Sequence, residues 1–94
     1  MIIAKVVGNV VATKKNEGLV GEKLLIVNPI KRKDKNGWSL IEEENLIVAV
    51  DSVGAGIGET VLLVTGSTAS KIIEHKNAPV DAAIIGIIDE IEMH

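Results

Sequence analysis

No cysteine occurs in this chain, which removes disulfides, thiolate metal sites and a cysteine nucleophile together and leaves packing as the source of stability. Phenylalanine and tyrosine are absent as well, and Trp38 is the single aromatic residue. The core is therefore aliphatic, and a platform for stacking bases has one candidate side chain. Charge is close to balanced, at a formal net of −3, so the field of the whole chain gives no general attraction for nucleic acid or an anionic membrane. No segment approaches the ~18 apolar residues that span a bilayer. The opening MIIAKVVGNVVATKK has no charged leader and carries Lys5 and Asn9 inside its apolar run, unlike a secretory signal. These absences predict a soluble intracellular protein.

What is present is branched aliphatic sequence in short runs. At 94 residues the chain holds one domain, 1–94, with one modest core. Runs rich in Val and Ile, bounded by turn residues, predict strands near 2–13, 23–30, 46–53, 59–65 and 80–92. KKNEG, then KRKDKNGWSLIEEEN, then a glycine loop separate the first four. Between the fourth and fifth, GSTASKIIEHKNAP predicts a short helix capped by Ser67 or Thr68, anchored by Ile72 and Ile73 and stopped by Pro79. Five short strands with one small helix point to an all-β, OB-like Greek-key barrel, because closure removes the exposed edges of an open sheet. An open sandwich is the alternative.

Strict alternation of apolar and polar residues fails in two of these runs. In VDAAIIGIIDEI, Ala82, Ile84 and Ile88 fall on one parity and Ala83, Ile85, Ile87 and Ile91 on the other. LIVAVDSV behaves in the same way. A strand apolar on both faces is buried on both, and this chain has no helices to supply that cover. A neighbouring copy of the chain is the expected cover, with Ala83 and Ile85 as the candidate contact residues.

In DSVGAGIGETVLLVTGS, Gly54, Gly56 and Gly58 stand between two apolar runs. A dinucleotide fingerprint needs G-x-G-x-x-G followed by a helix. Here the spacing is G-x-G-x-G and the β-branched ETVLLVTG that follows predicts a strand. Positive φ and close backbone approach are the better uses of these glycines, with a plain turn joining two strands of one chain as the alternative.

AVDSVGAGIGETVLLVTGS followed by PVDAAIIGIID, with AKVVGNVVAT as the opening strand, resembles the EutN/CcmL family of bacterial microcompartment vertex proteins. The likeness covers nearly the whole chain and is tightest from Leu46 to Asp89. Two departures stand out. Relatives commonly read G-S-S-A-R after the fourth strand where this chain has Gly66-Ser67-Thr68-Ala69-Ser70, and Lys31 to Asn45 match no family motif. The resemblance implies a cytoplasmic β-barrel that assembles as a homopentamer, caps the fivefold corners of a polyhedral shell, meets hexamer-forming shell proteins, and has no enzymatic activity or cofactor. It also implies a role for Gly54, Ala55, Gly56, Ile57, Gly58 and Glu59, in a subunit interface or lining the fivefold axis.

The remaining chemistry is thin. Asp51, Glu59, Asp81 and Asp89 flank strand ends, where turn and ion-pair roles are commoner than acid–base catalysis. His75 and His94 lack metal-ligand spacing, and Ser67 and Ser70 lack a His–acid partnership. Lys31, Arg32, Lys33, Lys35 and Trp38 cluster in one segment, which raises single-stranded nucleic-acid binding as the rival function for an OB-type barrel. One aromatic and the adjacent Glu42, Glu43 and Glu44 argue against it. A solvated hairpin, or a contact to neighbouring shell proteins through Arg32 and Trp38, accounts better for the segment.

Overall fold

A computed structural model describes residues 1–12, 17–34, 37–42, 46–66, 69 and 81–92, and for 31–34 and 37–42 it describes the backbone alone. The strands are β1 (Ile2–Val10), β2 (Lys23–Asp34), β3 (Gly37–Glu42), β4 (Ile47–Asp51), β5 (Thr60–Thr65) and β6 (Ala82–Ile87), with a 3-10 turn at Glu17–Leu19. Their order is β1-β5-β6-β4-β2-β3, and β1 also pairs with β2. That last pairing closes five strands, all but β3, into a barrel. Every neighbour pair is antiparallel except β4 and β6, which run parallel with Val50 opposite Ala83. The closed Greek-key order is that of an OB-type barrel.

The five predicted strands are all present, four with ends trimmed by a few residues and the second extended. The predicted helix falls on residues outside the description, apart from Ala69, which is fully buried. The segment read as a separator is the larger difference. β2 runs on past the barrel to Asp34 and pairs with β3, Ile30 opposite Glu42 and Arg32 opposite Leu40. The predominantly polar KRKDKNG does not show the apolar–polar alternation by which a half-buried strand is read.

The interior is aliphatic, as the missing Phe and Tyr require. Ala4, Val6, Leu25, Val27, Ala49, Ala55, Val61, Leu63, Ala82 and Ile84 form one buried cluster, with Ile2 and Ile47 packed against it. Burying a Val, Leu or Ile side chain contributes about 1.5–3 kcal/mol, so the six largest fully buried side chains, Leu25, Leu63, Ile84, Val6, Val27 and Val61, dominate cohesion.

A second cluster, Val50, Val64, Ala69 and Ala83, lies on the opposite parity, with Leu19, Leu24 and Ile85 against it. Here the two-face reading needs correction. Ala83 is 0% exposed within its own chain, because residues from the 3-10 turn and Ala69 cover the outer face of β4, β5 and β6. Parity also breaks in β6. Leu63 faces Ile84 and Leu62 faces Gly86, leaving Ile85 as an extra residue in a bulge. Ile87 then stands opposite the interior residue Val61 and not on the face of Ile85.

Candidate functional site

The two ends of the barrel carry different features. β4 ends at Asp51, and the glycine loop follows at that end. β2 enters the barrel at the same end and leaves it at the other, where the β2–β3 hairpin extends.

The glycine loop is built around one carboxylate. Asp51 Oδ1 accepts hydrogen bonds from the backbone N–H groups of Val53 and Gly54, both at 3.1 Å, and Oδ2 accepts from Ala55 at 2.8 Å. The Asp51 side chain is fully buried, and Lys23 Nζ lies 3.5 Å from Oδ2. Lys23 and Asp51 face each other across the β2–β4 ladder, and Nζ also donates to the Ala55 carbonyl at 2.7 Å. Both polar atoms of Ala55 are thus held while its methyl joins the interior cluster and plugs the barrel mouth. Ser52 Oγ donates to the Ile84 carbonyl at 2.6 Å, tying the loop's start to β6.

The far half of the loop is equally fixed. Glu59 N–H donates to the Gly56 carbonyl at 3.1 Å, and Glu59 Oε1 accepts from Gly56 N–H at 2.6 Å. Gly58 N–H donates to the Val6 carbonyl at 2.8 Å, and Val6 N–H to the Glu59 carbonyl at 2.9 Å, so the chain rejoins β1 before β5 begins. Gly54 and Gly58 have φ of 83° and 91°, a region that costs other residues about 1–2 kcal/mol. Gly56 differs: its φ is not positive, and an added Cβ would sit 3.3 Å from Glu59 Oε1. At the tip Ile57 is 67% exposed. β5 follows directly, so the loop does not lead into a helix N-terminus, which the dinucleotide fingerprint needs.

A second apolar surface lies on the outer wall. Ile26 faces Gly8 of β1 on one side and Val48 of β4 on the other, and Val48 and Leu46 are both more than half exposed. Ile85, by contrast, is partly buried against the second cluster. The sequence-predicted loop residues Gly54 to Glu59 therefore form one built feature, while Ala83 and Ile85 belong to a separate, self-covered face.

Arg32 and Trp38 lie on the two strands of the hairpin. His75, His94, Ser67 and Ser70 lie outside the described residues. Asp81 and Asp89 do not join Asp51, and among the described residues no three His, Cys, Asp or Glu side chains group as metal ligands. Sequence reasoning placed Asp51 in the turn or ion-pair class, which is right, but missed its convergence with Lys23. The available signal was an Asp at a strand end followed by a glycine loop, where Asx side chains bond the backbone two residues on.

A family model described as "Ethanolamine utilisation protein EutN/carboxysome" matches residues 1–89. The bacterial microcompartment shell vertex protein GrpN of Rhodospirillum rubrum is 42% identical over 92 residues, spanning 98% of this chain and 97% of that protein. The carboxysome shell vertex protein CcmL of Synechococcus elongatus is 45% identical over 93 residues, spanning 99% and 88%. The solved structure of the GrpN pentameric microcompartment shell protein from Rhodospirillum rubrum aligns with a TM-score of 0.84 at 41% identity and covers 100% of both chains. With its barrel order, its glycine loop and nearly its whole length accounted for, the chain belongs to the EutN/CcmL family.

Proposed function

We propose that this protein is a structural subunit of a bacterial microcompartment shell, a homopentamer that caps the fivefold vertices. The observation that carries the reading is the full-length similarity to GrpN, a pentameric shell protein, in both sequence and fold. The protein is not an enzyme, and it works in the cytoplasm as part of the shell. The nucleic-acid reading of the Lys31 to Trp38 segment is the weaker one, because the relatives are named as shell vertex proteins.

A ring is a heterologous assembly, in which each subunit offers two different surfaces to its two neighbours. This chain has two separate candidates. One is the glycine loop from Gly54 to Glu59 with Ile57 at its tip, set between subunits or along the axis. The other is the outer stripe of Ile26, Leu46 and Val48. Ile85 borders the self-covered face and is a lesser contributor.

The hairpin then faces outward from the ring, where Arg32 and Trp38 meet hexamer-forming shell proteins. Both are residue types favoured as interface anchors. The test is co-production with a hexamer-forming shell protein followed by electron microscopy. Closed polyhedral shells that need this chain support the reading. Shells that close equally well without it would refute the vertex role.

A further inference from the structure

We infer that Asp51 is a positioning residue for ring assembly: it touches no neighbour, and it holds the glycine loop in the one conformation that presents Ile57 to the adjacent copy. The inference rests on the proposed pentamer and adds to it the device that makes the loop competent to dock.

Asp51 sits at the end of β4 with its side chain fully buried, and besides its cross-strand partner Lys23 its carboxylate serves the loop. Three successive N–H groups, those of Val53, Gly54 and Ala55, converge on its two oxygens. Such convergence demands a tightly curled backbone, which Gly54 permits at a φ of 83°. Lys23 completes the clamp by taking the Ala55 carbonyl. From Ala55 the chain crosses only Gly56 and Ile57 before Gly58 is fastened to Val6. The tip is therefore strung between two fixed points a few residues apart.

An apolar residue at a fully anchored tip, 67% exposed, makes physical sense as a surface prepared in advance for docking. Ordering a loop on binding draws on the binding energy, and a loop already ordered in the free subunit avoids that loss. The occupant is a second copy of this chain, because GrpN, which aligns over the whole chain, is a pentamer and a ring contact repeats head to tail.

Asp51→Asn is the sharpest probe. Whichever way the amide turns, its NH2 group meets N–H donors: those of Ala55 and the Lys23 ammonium on one side, those of Val53 and Gly54 on the other. Sedimentation velocity over a concentration series would compare the wild type, Asp51→Asn, Ile57→Ala and the double variant. The subunit concentration at half assembly should rise about tenfold or more for Asp51→Asn in the wild-type background, and by about twofold or less when Ile57 is already Ala, since residues acting through one contact are non-additive. Amide exchange at Val53, Gly54 and Ala55 should quicken while the barrel strands keep their protection.

Equal effects of Asp51→Asn in both backgrounds, or an unchanged ring, would overturn the inference while leaving the pentamer standing. A wild-type chain that stays monomeric would overturn the pentamer itself. Should Asp51→Asn fail to fold, Lys23→Met removes the Ala55 carbonyl anchor from a half-exposed side chain, and it should weaken assembly in the same direction and with the same dependence on Ile57. Assembly unaffected by Lys23→Met would count against the clamp.

Discussion

The two ends of this barrel are ordered by different means. At the glycine-loop end the order is internal: Asp51, Lys23 and Glu59 satisfy the loop's own backbone groups, and Ala55 seals the interior. At the hairpin end, β2 continues beyond β1 and β4, and among the described residues its last stretch pairs with β3 alone. A two-stranded ribbon gains little stability in water by itself. The loop end is thus ordered within the subunit, while the hairpin end extends beyond the barrel strands. The proposed subunit contact thus draws on the ordered end, and the proposed contact to other shell proteins on the extension.

The comparison breaks most visibly at the walls. Ala83→Asp places an unpaired charge at a position with 0% exposure, which costs several kcal/mol. Circular dichroism should report an unfolded or aggregated chain and not a released, folded monomer. Ile57→Asp should do the opposite: a barrel with wild-type secondary structure and no ring. If both variants behaved alike, the separation of a self-covered wall from an open loop tip would be wrong.

Next in size are the glycines. Gly58→Ala and Gly54→Ala should each destabilise the chain by about 1–2 kcal/mol because of their positive φ. Gly56→Ala needs only a small shift of the Glu59 carboxylate and should cost about 1 kcal/mol or less, the worth of a perturbed hydrogen bond. Denaturant titration checks this ranking, and equal costs at all three would show that the loop's conformation is not what the glycines serve.

The smallest effect on stability belongs to the hairpin. Arg32→Glu with Trp38→Ala should change the unfolding free energy by less than about 0.5 kcal/mol, as surface substitutions usually do, and leave the oligomer intact. Shell closure with hexamer-forming partners should fail. Loss of the ring in this variant would move the hairpin into the subunit interface.

How far the sequence revealed this arrangement depends on whether the cause is local. The five barrel strands were readable because Val and Ile cluster between turn residues and the barrel interior demands it. Gly54 and Gly58 were readable for the same reason, since a positive φ selects glycine directly. The cover over Ala83 was not, because Leu19 and Ala69 reach it from distant parts of the chain. The bulge at Ile85 escaped because counting by twos assumes that no residue is extra. The Lys23–Asp51 pair is a register relation between β2 and β4, which neither residue announces alone. Family resemblance supplied the expectation of a pentamer, and the runs apolar on both parities supplied only the expectation of a partner.

Native mass spectrometry of the unmodified protein tests the central claim most directly. A 10.0 kDa chain should appear as a closed fivefold species of about 50 kDa, with no ladder of larger open assemblies. A stable monomer at the same concentrations would contradict the ring, and with it the role assigned to the glycine-loop end.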